Sequence, residues 1–185
     1  VYTALRDYTL AANVEELRGT ADTGQKLTGN GGNNWIAGSL GADTMAGLKG
    51  DDTYVVGSAD SVIEKSGEGR DTVQTSLADY RLAANLESLI GLSSGRQTLT
   101  GNSLENVING GTGTDFLNGQ GGDDILIGGL GSDVLEGGAG RDVFSFSGIA
   151  ETSPSRDVIV DFTRLTDLIN LSEIDADATI DGNQS

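Results

Sequence analysis

The chain of 185 residues contains no cysteine and no histidine. Disulfides, thiolate or imidazole zinc sites, and Ser–His or Cys–His nucleophile pairs are thereby excluded. Aromatic residues are few, with four tyrosines, four phenylalanines and one tryptophan, so the composition argues against an ordinary large core. Basic residues are also scarce. Eleven lysines and arginines against 28 aspartates and glutamates leave a net charge of −17, which argues against nucleic acid or an anionic membrane as a partner without metal. No apolar run is long enough to span a bilayer, and no basic, apolar leader opens the chain. With Val1 in first place rather than methionine, the sequence reads as a piece of a longer protein.

What the chain has instead is glycine, 29 residues of it, set in register with carboxylates. From Gly101 to Ser145 run five nine-residue units: GNSLENVIN, GGTGTDFLN, GQGGDDILI, GGLGSDVLE and GGAGRDVFS. Each has glycine first. Each has a carboxylate or carboxamide sixth, at Asn106, Asp115, Asp124, Asp133 and Asp142, and an apolar residue eighth, at Ile108, Leu117, Leu126, Leu135 and Phe144. Scattered carboxylates would read as a solvated surface. Recurrence every nine residues does not.

A nonad gives about six residues of turn and three of strand, whose middle residue points to one face. One unit is half a coil, so residues eighteen apart fall in neighbouring rungs roughly 4.8 Å apart. The spacing predicts Asp115 beside Asp133 on one edge, and Asn106, Asp124 and Asp142 stacked on the other. Calcium–oxygen distances of about 2.3–2.6 Å let an ion between two rungs reach both. Turn glycines permit positive φ and expose carbonyls as further hard oxygen ligands. In this half the candidates are Gly110, Gly111, Gly113, Gly119, Gly121, Gly128, Gly129, Gly131, Gly137, Gly138 and Gly140.

An earlier copy lies seventy-two residues upstream. YTLAANVEELRG from Tyr8 aligns with YRLAANLESLIG from Tyr80, and seventy-two is eight nonads, so both repeats keep one phase. That favours one continuous solenoid over two beads. Three nonads, GNGGNNWIA, GSLGADTMA and GLKGDDTYV, span Gly29 to Val55 and carry inward positions at Ile36, Met45 and Tyr54. Their candidate ligands are Gly29, Gly31, Asn34, Gly38, Asp43, Gly47, Gly50 and Asp52. Asp71 reaches the place above Asp52 across a one-residue insertion at Lys65. Trp35, seventh in its unit, faces outward and reads as a partly covered surface aromatic. The segments from Thr3 to Thr28 and Thr75 to Thr100 keep apolar residues at Leu10, Val14, Leu17 and Leu27 and at the shifted positions but lack the aspartates, and read as metal-free coils. Leu82 to Leu89 could form a helix on propensity alone; the match to nonad length favours strand. After Ser145, apolar residues at Val158, Val160 and Phe162 and at Leu168, Ile169 and Leu171 suggest cap strands on the last coil.

These nonads resemble the calcium-binding repeat of RTX, or hemolysin-type, proteins, with the pattern GGxGxDxUx. Gly110–Asn118, Gly128–Glu136 and Gly137–Ser145 match it in full; Gln120, Asn102 and Leu104 depart from it. The stretch RDVIVDF, Asp167 and INLSEIDA resembles the carboxy-terminal domain of serralysin-type secreted proteins, with Leu165 where that pattern has glycine. The resemblance implies an all-β, right-handed parallel β-roll or β-helix solenoid with a carboxy-terminal β cap. Its segments are residues 1–72, 73–145 and 146–185.

Ordering nine residues for one buried apolar side chain is unfavourable, and stacked aspartates add repulsion, so the metal-free nonads are expected to be largely disordered and to fold as they bind several calcium ions. The resemblance implies the use: export unfolded through a type I secretion machinery, by a signal near the parent's carboxy terminus, then folding in external calcium. The alternative is a polysaccharide-binding or adhesive module, for which the chain offers few bases to meet an anionic polymer beyond Lys26, Lys49, Arg70, Arg81, Arg96 and Arg141. Catalysis by paired carboxylates such as Asp51 with Asp52 or Asp123 with Asp124 is disfavoured, because the nonad phase already accounts for the second of each pair; the segment reads as no enzyme in itself.

Overall fold

The computed structural model describes residues 1–146 and 156–172. Its described residues form short parallel strands, with no helix among them, wound into a β-solenoid. Ten strands make one continuous sheet along the first face: Tyr2–Thr3, Glu16–Gly19, Trp35–Ala37, Thr53–Val56, Thr72–Thr75, Ser88–Gly91, Val107–Asn109, Ile125–Ile127, Val143–Ser145 and Leu168–Asn170. The second face is made of two sheets. One contains Asp7–Thr9, Lys26–Thr28, Thr44–Ala46 and Ser61–Val62, and the other runs from Asp79–Arg81 through Thr98–Thr100, Phe116–Asn118 and Val134–Glu136 to Val158–Ile159. Both sequence copies therefore share the first face and part company on the second.

Three-residue strands follow from the nonad, which leaves only positions seven to nine outside its turn. Their middle residues point inward and meet in register: Ile36 opposite Tyr54, Leu27 opposite Met45, Ile108 opposite Leu126, Leu126 opposite Phe144 and Leu117 opposite Leu135. All eight inward positions expected of the nonads, Ile36, Met45, Tyr54, Ile108, Leu117, Leu126, Leu135 and Phe144, have no exposed surface. The core is a single file of side chains between two faces.

The coils without aspartates keep the same file at other pitches. Leu17 lies opposite Ile36, nineteen residues on, and Val73 opposite Leu89, sixteen on. Strand wins over helix around Leu82–Leu89, because Asn85 takes a left-handed turn at φ 64° before the strand Ser88–Gly91, as Asn13 does at φ 61° in the earlier copy. Trp35 is half-buried, with the Arg18 guanidinium 4.2 Å above its ring. After Ser145 the coil lengthens: Leu135 meets Ile159 and Phe144 meets Ile169. The two expected cap strands thus join the existing faces in parallel, and Phe162 packs its ring 6.2 Å from Phe144. Val158 and Val160 point away from the core and are about half exposed, since the inward residue of that strand is Ile159. Leu165 adopts the left-handed turn, φ 78°, that a glycine would favour. The rest of the expected cap, including Glu173 to Ala176, lies outside the described residues.

Candidate metal centre

Along each edge of the solenoid the sixth-position side chains form a ladder. One oxygen of each accepts the backbone N–H of the sixth residue in the rung before. On the first edge Asp52 Oδ1 accepts from Asn34 at 2.7 Å, Asp71 Oδ1 from Asp52 at 2.8 Å, and Glu87 Oε2 from Asp71 at 2.8 Å. The same edge resumes as Asp124 accepting from Asn106 at 2.7 Å, Asp142 from Asp124 at 3.0 Å and Asp167 from Asp142 at 3.2 Å. On the other edge Asp43 accepts from Gln25 and Asp60 from Asp43. Further along it, Asp115 accepts from Gln97, Asp133 from Asp115 and Asp157 from Asp133. The expected stacks are present, and Asp71 stands on Asp52 despite the insertion.

The first-position glycine is required by this fold-back. A Cβ on Gly119 would lie 2.2 Å from Asp124 Oδ2, and one on Gly137 2.3 Å from Asp142 Oδ2. Gly29, Gly38, Gly47, Gly110 and Gly128 stand in the same relation to the sixth residues of their units. The second and fourth positions of the turn take positive φ, at Gly111, Gly129 and Gly138 and at Gly50, Gly113, Gly122, Gly131 and Gly140. Gly131 is the tightest: a Cβ there would sit 1.5 Å from the Gly113 carbonyl oxygen. The turns therefore stack carbonyl to α-carbon, as a cradle of backbone oxygens requires. Gln120 and Leu48 hold the second position at φ 77° and 81° without glycine. Gly31 and Gly121 are third in their units; Gly122, fourth in its unit, has the left-handed φ of 107°.

Four ladder positions carry carboxamides, and each begins a stack. Asn34 Nδ2 donates to the Val14 carbonyl and Asn106 Nδ2 to that of Leu86, while their Oδ1 atoms accept from the Asn30 and Asn102 amides. Gln25 and Gln97 do the same, donating to the Leu5 and Leu77 carbonyls. A carboxylate could not donate to the carbonyls of the aspartate-free coil below; an amide can. Sequence reasoning missed Asp60, Glu87, Asp157 and Asp167 as ladder members, because all four lie where the coil departs from eighteen residues.

The charges are the unsatisfied part. Asp52, Asp115 and Asp124 are buried, and the second carboxylate oxygen of each has no hydrogen-bond partner. Burial pushes the Asp52 and Asp124 carboxyls up to about 7 and that of Asp71 to about 6, against the accepted amide hydrogen bonds and with help from neighbouring carboxylates. Asp115 and Asp142 are raised for the same leading reason. Among the described residues no three acidic side chains converge on one point. A cation held here would draw on one carboxylate per rung together with turn carbonyls, and that hard, flexible oxygen set is the kind calcium prefers.

Residues 26–63, 100–135 and 119–147 match the family described as RTX calcium-binding nonapeptide repeat (4 copies). The chain carries RTX repeats. The matched residues include both runs of stacked nonads, so the repeats are calcium-binding and the solenoid is a calcium-binding β-roll module. A 94-residue stretch is also 40% identical to the Endo-1,3-1,4-beta-glycanase ExsH of Rhizobium meliloti (strain 1021), covering 50% of this chain and 20% of that protein. The chain thus spans about a fifth of the length of that relative. No described helix is long and apolar enough to cross a membrane.

The raised carboxyls predict a pH effect in metal-free buffer. Their folded pKa lies above the ordinary aspartate value of about 3.9, so the folded form holds protons that the unfolded chain has released. That stability is present at low pH and lost as pH rises through about 6 to 7. Circular dichroism without calcium should show more β structure at pH 4.5 than at pH 7.5, and less order at the acid end would contradict the burial of these groups.

Proposed function

We propose that this chain is the calcium-gated folding module of a secreted protein. It leaves the cell unfolded through a type I secretion machinery and becomes a rigid rod in external calcium, stabilising or presenting the rest of its parent. The observation that carries this reading is the buried, partnerless carboxylate oxygen repeated at Asp52, Asp115 and Asp124. Such groups oppose folding until a cation arrives. Residues 1–72, 73–145 and 146–185 are the segments of this module, which does no catalysis of its own. Limited proteolysis tests it: the chain should be cleaved throughout in chelator and resist over residues 29–145 in millimolar calcium. Equal protection in both conditions would refute calcium gating.

A second reading, a polysaccharide-binding or adhesive module, draws on two observations. The relative named above is called a glycanase, and Arg18 is stacked between Tyr2 and Trp35, 5.7 and 4.2 Å from their rings, on the outside of the first face. An aromatic and cationic strip of this kind suits sugar stacking. Binding to polyuronates that depends on Arg18 and Trp35 would favour it over a pure folding role.

A further inference from the structure

At the junction of the two copies the second face stops at Ser61–Val62 and resumes at Asp79–Arg81. Met45 lies opposite Val62, so Glu64 falls opposite Gly47. In an intact pair of rungs, Leu117 lies opposite Leu135 and that place belongs to Gly137, the first residue of the next unit. Here a carboxylate enters where the pattern has hydrogen. Glu64 is 6% exposed. Its Oε1 accepts the Gly47 N–H at 2.9 Å, replacing the strand carbonyl that Gly29 finds on Ala46, and it also meets the Tyr54 hydroxyl. Its Oε2 has no partner.

The neighbouring Asp52 is 1% exposed and its Oδ2 is likewise without a partner. The point where a Cβ on Gly47 would stand lies 1.8 Å from that oxygen and 2.5 Å from the Tyr54 hydroxyl oxygen. Two buried carboxylates thus flank one phenol, whose single proton can serve only one of them. The ion pairs among the described residues are Arg18 with Glu16 and Lys65 with Glu68, so neither carboxylate has a basic partner. Two buried carboxyl groups that each keep a partnerless oxygen and lack a basic partner call for a cation, and an all-oxygen set calls for a hard one.

We infer that Asp52, Glu64 and Tyr54 hold a calcium-class divalent cation at the copy junction, with Glu64 a ligand outside the nonad pattern. The inference rests on the reading of Asp52 as a ladder ligand. The ion would tie the Gly47–Asp52 turn to the end of the first copy's second face, where strand pairing is lost.

Terbium, a luminescent stand-in for calcium, tests this with the whole chain, alongside ion counts by native mass spectrometry in calcium. Terbium emission excited through tyrosine should be strong in the native chain and largely lost in Tyr54→Phe. Glu64→Gln keeps the acceptor for Gly47; it should remain folded in calcium by circular dichroism, bind one ion fewer and lose most of that emission. An unchanged ion count and emission in Glu64→Gln would make Glu64 a neutral, protonated cap and overturn the site. Asp124→Ala separates the two readings: an ion lost there but none in Glu64→Gln removes only the junction site, and no ion lost in either removes the ladder assignment as well.

Discussion

In chelator the far-ultraviolet circular dichroism spectrum of this chain is expected to be that of a largely disordered polypeptide, and calcium should convert it cooperatively to a β spectrum. The size of the change follows from the cross-section of the solenoid. Each nonad buries one side chain, such as Leu117 or Leu126, against nine ordered backbones, and most of them carry a carboxylate into the same dry space. Strand pairing along both faces cannot offset both costs while Asp52, Asp115 and Asp124 each keep a bare oxygen. Calcium removes the second cost and fixes the glycine turns at the same moment. The midpoint should fall at about 10⁻⁴–10⁻³ M, the range of extracellular calcium modules. Magnesium should not substitute, since it demands octahedral geometry at about 2.0–2.1 Å and sheds water reluctantly. A complete β spectrum in chelator would mean that packing alone holds the rod.

Much of this was legible in the residues, for a physical reason. Where the period is unbroken, face and edge are fixed by counting, so Ile36, Met45, Tyr54 and Ile108 through Phe144 all turn inward, and Asp115 and Asp133 share an edge. Counting fails where the pitch changes. Between Met45 and Val62 the coil is one residue short, and that single residue turns Glu64 inward and ends a sheet. Glu87 and Asp157 join the ladders from coils of sixteen and twenty-four residues, which no nine-residue phase can place. The donor role of the starting amides escaped for another reason. In the sequence Asn34 and Asn106 read only as oxygen ligands, and their donors acquire a purpose only once the Val14 and Leu86 carbonyls are seen below them. The outward turn of Val158 and Val160 shows the limit of alternation, which gives two faces without saying which is covered.

Replacing Asp124 and Asp142 together by alanine should have opposite consequences with and without metal. In chelator the two carboxylates are net unfavourable when ionised, since burial outweighs the amide hydrogen bonds they accept. The double variant should then be no less ordered than the native chain, and slightly more so at neutral pH. In calcium it loses two candidate ligands on one edge and the hydrogen bonds from the Asn106 and Asp124 amides. A hydrogen bond to a charged group contributes about 1.5–3 kcal/mol, and about 1.4 kcal/mol is a factor of ten. The calcium midpoint for folding should therefore rise at least about tenfold, with a shallower transition. Asp124→Asn with Asp142→Asn separates the two losses. The amide retains an oxygen for the ladder, as Asn106 does at its foot, yet surrenders the charge that attracts the ion. An asparagine pair that titrates like the native protein would assign these residues to the ladder alone, and an alanine pair that does so would remove them from the calcium site.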